Sequence, residues 1–163
     1  MPPWAATDAF FETVRERGVA VRSRRLRPPD LDDPQRIRAG AGNYEAMCAE
    51  CHAAPGLAPS DLPRTLHPPP PDLTHPGLED PRRTFWIIAH GLRMTAMPAW
   101  GAVLDDEELW SLTAFVHRLP LIDRASYLAL VEASAGHTHG GSVLRHGPAG
   151  GIDGVRGVPC EPH

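Results

Sequence analysis

Lysine is absent from the chain, so all 16 of its Lys and Arg residues are arginines, and the formal net charge is −4. Positive charge is therefore carried only by planar guanidinium groups, which stay ionised at physiological pH. We interpret this as a bias of composition. The negative net charge argues against a nucleic-acid-binding protein, because such proteins carry a basic patch that displaces counterions from phosphates. No nucleic-acid partner is expected.

Long apolar runs are missing as well. No window approaches the roughly 18 apolar residues of a membrane-spanning helix, and the first residues lack the basic and then apolar pattern of an export signal. The printed chain is therefore expected to carry neither an export signal nor a membrane anchor. No stretch alternates apolar and polar residues at a period of two, so the sequence predicts an all-α fold with long proline-rich loops.

Proline and glycine divide the chain into three parts. Residues 1–33 contain a short N-terminal helix and a linker rich in arginine and proline. Residues 34–134 contain periodic apolar residues and form the expected compact domain. Residues 135–163 are rich in glycine and histidine and lack any such period, so they are predicted to form a disordered tail.

Three helix starts are visible in the domain. Asp33 and Asp80 each precede a proline, and an aspartate cap followed by proline at the first helical position is a favourable start. Asp105, with a glutamate three residues later, matches the capping-box pattern. A further short helix is expected over residues 123–134. Gly40 predicts a close crossing of the first domain helix with another helix, because a glycine otherwise only destabilises a helix.

The chain has 3 cysteines, and two of them stand in the stretch "MCAECHAAPG". Cys48 and Cys51 are three residues apart, and His52 follows directly. Their spacing continues the apolar stripe of the first domain helix, which predicts both thiols on its buried face. Such a pair serves three chemistries: a dithiol redox centre, a zinc site, or covalent attachment of haem.

The remaining sequence weighs these alternatives. A dithiol centre of the thioredoxin type is expected among strands, and none is predicted. A structural zinc site commonly needs four ligands, whereas the third cysteine, Cys160, lies in the tail. Cys-x-x-Cys-His is the attachment signature of c-type haem, in which two thiols on one turn reach the vinyl groups and the next residue places its imidazole on the iron.

A second axial ligand is available further along the chain. Met94 and Met97 lie in the loop after the middle helix, and Pro98 stiffens the backbone behind Met97. A lone methionine is more often a filler of core space. Beside a haem motif, a methionine on a stiffened loop is a candidate for the open face of the haem.

Four blocks occur in order: "GNYEAMCAECHAAPG", "PPPPDLT", "FWIIAHGLRMTAMPAWG" and "DDEELWSLTAFVHRLP". Together they resemble class I cytochrome c, in particular the bacterial monohaem branch with a Met-Pro-Ala-Trp ligand loop. The resemblance covers the chain from residue 34 to about residue 130. It implies several helices around one haem c, attached through Cys48 and Cys51, with His52 as the proximal and Met97 as the distal ligand of the iron.

The resemblance also implies how the helices cross and what the protein does. Gly40 and Tyr44 are expected to cross the last helix near Trp110 and Phe115. The implied function is one-electron transfer between redox proteins, without enzymatic turnover, in the bacterial periplasm. Similar proteins usually have a signal or membrane helix upstream, so the full-length form is expected to be exported and tethered to the inner membrane.

Two alternatives to an electron carrier stay open: a haem-based ligand-binding or redox enzyme subunit, and a metal-handling protein that uses the tail. Tail side chains of the metal-ligating type are His137, His139, His146, Cys160 and His163. Because they are scattered among glycines, a solvated tail is favoured over a copper or zinc site.

Donors for the haem propionates are sought near the methionine loop. Guanidinium and indole N–H groups suit carboxylates. Arg93 and Trp100 flank this loop and rank ahead of Arg64. Three further histidines are candidate haem neighbours, but exposed or structurally bonded positions are favoured for them: His67, His75 and His90.

Overall fold

The computed structural model describes residues 5–78, 80–134, 136–139 and 142–144. Most regular structure in these residues is helical, which confirms the predicted all-α class. The helices are α1 (Ala5–Ser23), α2 (Pro34–Met47), α3 (Ala49–His52), α4 (Pro81–His90), α5 (Asp106–Arg118) and α6 (Arg124–Ala133). Short 3-10 helices span Leu62–Thr65, Trp100–Ala102 and Leu119–Leu121. Among the described helices, none combines the length and apolar character that crossing a membrane requires.

The helix starts predicted from the sequence are confirmed. Asp33 and Asp80 each accept a hydrogen bond from the backbone amide two residues further on, at 2.9 and 3.0 Å. At the start of α5, the Asp105 carboxylate accepts from the Glu108 amide at 2.9 Å, and the Glu108 carboxylate accepts from the Asp105 amide at 2.9 Å. These caps satisfy amides that the first helical turn leaves without partners.

The crossing of α2 and α5 is the centre of the fold. A Cβ atom on Gly40 would lie 2.1 Å from a backbone carbonyl oxygen of α5, so only glycine permits this approach. One turn later, the ring of Tyr44 lies 5.4 Å from that of Phe115. Trp110 stacks instead on Phe85 of α4, with ring centroids 4.1 Å apart. Helix α5 therefore packs against α2 and α4 at once.

Helix α5 contributes more residues to the described core than any other helix. The apolar stripe that it shares with the next residue is buried throughout: Leu109, Leu112, Val116 and Leu119. From α6, Tyr127 is fully buried and packs edge-on against Tyr44 at 6.4 Å. Helix α1 packs on α4, where Glu16 pairs with Arg83.

Two short strands add to the helices. Strand β1 (His137–His139) pairs antiparallel with β2 (Ser142–Leu144). The sequence does not predict them, because three residues are too few to show an alternating pattern. Of the metal-ligating candidates in the tail, His146, Cys160 and His163 lie outside the described residues, and only the backbone of His137 and His139 is described.

Candidate functional site

The Cys-x-x-Cys-His segment lies where α2 gives way to α3. Helix α2 ends before Cys48, whose backbone leaves the helical conformation with φ −120° and ψ −37°. The Cys48 side chain is buried, whereas Cys51 is partly exposed. The prediction that both thiols share one buried helical face therefore holds for Cys48 and not for Cys51, because the break at Cys48 changes the register of the next turn.

Both thiols are free, and both favour the protonated form. Burial, followed by the nearby Cys51, raises the pKa of Cys48 to about 12. Burial, followed by the charge of Glu50, also raises the pKa of Cys51. Dithiol and zinc chemistry both use the thiolate, which these surroundings disfavour. In the described parts of the chain, no three His, Cys, Asp or Glu side chains converge to bind a metal ion.

The imidazole of His52 is oriented by a backbone carbonyl. Its Nδ1 lies 2.8 Å from the carbonyl oxygen of Pro71. A carbonyl oxygen only accepts, so Nδ1 must carry the hydrogen and donate it. Burial lowers the pKa of His52, and the bond to Pro71 opposes that shift. The lowered pKa favours the neutral ring, and the hydrogen bond places its lone pair on Nε2, which is the form that binds a metal.

The backbone that leaves His52 is also restrained. The Leu73 amide donates to the His52 carbonyl at 3.0 Å. The Tyr44 hydroxyl donates to the Ala53 carbonyl at 2.7 Å and also lies 3.3 Å from that of His52. The roles of Pro71 and of the Tyr44 hydroxyl are not predicted from the sequence. The block "PPPPDLT" is one of the four that resemble the family, but every residue has a backbone carbonyl. The sequence therefore cannot show which carbonyl accepts a hydrogen bond from His52.

The two candidate methionines point in different directions. Met97 is partly buried and packs against the core, whereas Met94 is 85% exposed. The Met97 amide donates to the Thr95 hydroxyl at 3.1 Å, and the Met97 carbonyl accepts from the Leu92 amide at 3.3 Å. A Cβ atom on Gly91, where φ is +65°, would lie 2.7 Å from the Met97 carbonyl oxygen. The loop thus closes tightly against the end of α4.

The remaining polar candidates have different surroundings. Arg93 is exposed, and Trp100 is partly buried at the start of a 3-10 helix packed on the core. Arg64 pairs with a neighbouring aspartate at 3.4 Å. Their roles toward a haem stay predictions. Of the other candidate histidines, His90 at the end of α4 stacks on a tryptophan at 4.2 Å, and His75 lies 3.3 Å from a carboxylate.

The residues at this site fit a haem group. A neutral imidazole with a free Nε2, two unpaired thiols, and a thioether directed toward the core are the donors by which proteins bind and ligate haem c. Together with helices crossing behind the Cys-x-x-Cys-His segment, they define a domain of the c-type cytochrome class.

Comparison with known proteins gives the family. The family model described as cytochrome c oxidase, cbb3-type, subunit III matches residues 35–116, half of the chain, and the chain belongs to this family. It therefore contains a cytochrome c domain.

Among solved structures, this chain is similar to a chain of a reducing HAO-like protein complex from Kuenenia stuttgartiensis. The sequences are 28% identical, and the TM-score is 0.46. The match covers 58% of this chain and 46% of that chain, so this chain spans less than half the length of its neighbour. None of the curated proteins matches the chain.

Proposed function

We propose that the protein carries single electrons on one haem c, which is attached covalently through Cys48 and Cys51 and ligated by His52 and Met97. The observation that carries this proposal is the 2.8 Å contact between His52 Nδ1 and the Pro71 carbonyl. It determines the tautomer and leaves Nε2 for the iron. When bound, the haem supplies the exchange between ferric and ferrous states.

The inward position of Met97 supports its role as the second ligand. Met97 packs against the core, and Thr95 and Gly91 restrain its backbone. Met94 is largely exposed and is therefore assigned no ligand role. Ligation by histidine and methionine raises the reduction potential, because a thioether favours the ferrous form. A carrier with both axial positions filled transfers electrons without binding a substrate at the iron.

Two side chains that flank the ligand loop are proposed as donors to the haem propionates. Arg93 offers a guanidinium group, and Trp100 offers an indole N–H. The exposure of Arg93 leaves its charge free to meet a carboxylate at the protein surface. Loss of either donor is expected to shift the midpoint potential, because a haem carboxylate then loses a neutralising partner.

The partners are proposed to be redox proteins that dock transiently at the exposed haem edge. An electron carrier must leave its partner quickly, and such brief encounters bury comparatively little surface area. The family resemblance supports a periplasmic location and, for the full-length protein, a tether to the inner membrane. Fractionation of the native host tests this location. Holoprotein recovered from the cytoplasm would contradict it.

Extraction with acidified acetone tests covalent attachment. Haem is expected to stay with the wild-type protein and with Cys160→Ala, because the third cysteine has no proposed role. The double variant Cys48→Ala/Cys51→Ala is expected to release it. Complete extraction from the wild-type protein would overturn the proposal. Carbon monoxide binding by the ferrous wild-type protein would instead favour a haem-based ligand-binding protein with an open axial position.

A further inference from the structure

The residue directly after His52 has an unusual backbone conformation. Ala53 has φ 66° and ψ 170°. Among the described residues, only Ala53 and Met94 combine a side chain with positive φ. The region occupied by Ala53 is essentially restricted to glycine, because Cβ crowds the backbone there. Such a conformation persists only where the surrounding structure compensates for its cost.

The Tyr44 hydroxyl provides that compensation. It donates to the Ala53 carbonyl at 2.7 Å, and the Tyr44 side chain is fully buried. The backbone angles of Ala53 determine the direction of this carbonyl. Because a buried hydroxyl without a partner is costly, the bond favours the conformation in which the Ala53 carbonyl faces Tyr44.

Tyr44 itself is immobilised by the core. It lies one turn after Gly40, at the crossing where α2 and α5 come closest. Its ring packs between Phe115 and Tyr127, at 5.4 and 6.4 Å. The hydroxyl is therefore a fixed point, determined by helix packing rather than by the loop that it contacts.

His52 is thus restrained from two sides. On one side the Tyr44 hydroxyl fixes the peptide that leaves His52. On the other side, Pro71 accepts from the imidazole at 2.8 Å and Leu73 donates to the His52 carbonyl at 3.0 Å. The two sides lie far apart in the sequence, and both contact this residue. A change on one side alters the angle at which the ring leaves the backbone.

We propose that Tyr44 is a positioning residue for His52: its hydroxyl sets the backbone at Ala53 and, through it, the orientation of the imidazole plane. This inference rests on the proposed role of His52 as an axial ligand. The orientation of that plane governs how the unpaired electron of the ferric state spreads over the haem. Removal of the hydroxyl is expected to change that distribution, even where the fold is retained.

The test compares Tyr44→Phe with Tyr127→Phe in the holoprotein. Each substitution removes one hydroxyl and keeps the ring. The control is matched, because Tyr127 is fully buried in the same aromatic cluster but donates to Glu45 instead of the His52 segment. The measurements are the haem methyl shifts in the proton NMR spectrum of the ferric protein, the midpoint potential, and the urea midpoint.

Both variants are expected to unfold at lower urea concentration than the wild-type protein. Only Tyr44→Phe is expected to shift the haem methyl signals and the midpoint potential. Wild-type methyl shifts and potential in Tyr44→Phe would show that Tyr44 only stabilises the fold, and would overturn the inference. Equal shifts in both variants would do the same, because the effect would then belong to the cluster and not to the bond with Ala53.

A substitution at Ala53 provides a second test of the inference. Ala53→Gly relieves the backbone cost and is expected to reduce the effect of Tyr44→Phe on the methyl shifts. If Tyr44→Phe alone yields no holoprotein, recovery of holoprotein in the double variant supports the inference, and failure to recover contradicts it. Failure of the proposed function is seen separately, in the wild-type protein: a ferric spectrum without a histidine ligand overturns the ligand assignment before any variant is compared.

Discussion

The two sides of the proposed haem site are built differently. On the histidine side, His52 ends the short helix α3, which follows the helix that crosses α5, and a buried tyrosine and a distant carbonyl restrain it. On the methionine side, Met97 lies in a loop that closes on itself and on the end of α4. The histidine side is thus held by a fully buried core side chain, whereas the methionine side is a partly buried loop that packs against the core from outside.

Because of this difference, substitutions on the two sides should affect different properties: the stability of the domain on one side and the coordination of the haem iron on the other. Helix α4 joins the core through the stack of Phe85 on Trp110 and the contact between the Thr84 hydroxyl and His117 Nε2 at 2.9 Å. Damage on the histidine side should therefore reduce the stability of the whole domain. Damage on the methionine side should free the sixth coordination position of the iron and leave most of the fold intact.

The largest effect is expected at the helix crossing. Gly40→Ala places a Cβ 2.1 Å from a backbone oxygen of α5, and the helices must move apart. We expect a loss of about 3 kcal/mol or more in the free energy of unfolding, at or above the upper end for overpacked cores. Urea denaturation measures it. Gly77→Ala is the control, because nothing lies within 4 Å of its added Cβ; equal urea midpoints for the two variants would contradict the crossing.

The next effect concerns coordination and should leave the fold in place. Met97→Ala is expected to open the sixth position, lower the midpoint potential and permit carbon monoxide binding by the ferrous protein. Met94→Ala is expected to exclude the gas as the wild-type protein does, since this side chain is 85% exposed. Ferrous spectra with carbon monoxide decide. Binding by the Met94 variant and exclusion by the Met97 variant would reverse the assignment.

A smaller effect is expected where the methionine loop meets α4. Gly91→Ala combines positive φ with a Cβ 2.7 Å from the Met97 carbonyl oxygen, so we expect a loss of about 1–3 kcal/mol and partial carbon monoxide binding. Gly56→Ala is matched in φ, at +66°, and its added Cβ would lie 2.8 Å from the Cβ of Arg124 instead of meeting the methionine loop. It should lose stability without admitting the gas. Carbon monoxide binding by both variants would contradict the prediction that only damage to the methionine loop frees the iron.

The smallest effect is a pH dependence at the attachment of α4. Burial lowers the pKa of His117 below its ordinary 6.5, and the charge of Asp80 opposes this shift. The native state therefore favours neutral His117, and the unfolded state binds the proton more readily. The resulting stability is present above pH 6.5 and is lost as the pH falls toward the lowered pKa.

Urea midpoints measured above and below this pH test the effect. His117→Gln is expected to reduce the acid loss of stability, because glutamine has no proton to gain. His90→Gln, at an exposed position on the same helix as Thr84, serves as the control. A reduction of equal size in the His90 variant would show that the acid loss does not come from His117.

Local chemistry was readable from the sequence. The caps at Asp33, Asp80 and Asp105 are interactions between residues two or three positions apart, so the local sequence is sufficient to predict them. The same holds for the spacing of the cysteine pair and for the need for glycine at position 40. These features place the helices and identify the haem motif before any packing is known.

Tertiary structure decided which groups meet at the site. The hydrogen bond from His52 to Pro71 joins residues 19 positions apart, and its acceptor is a backbone carbonyl that any residue possesses. The contrast between partly buried Met97 and exposed Met94 likewise depends on how their loop folds against α4. The contrast between buried Cys48 and partly exposed Cys51 depends on the backbone break between α2 and α3. Because burial is a property of the packed chain and not of a residue type, such contrasts become visible only when distant segments are brought together.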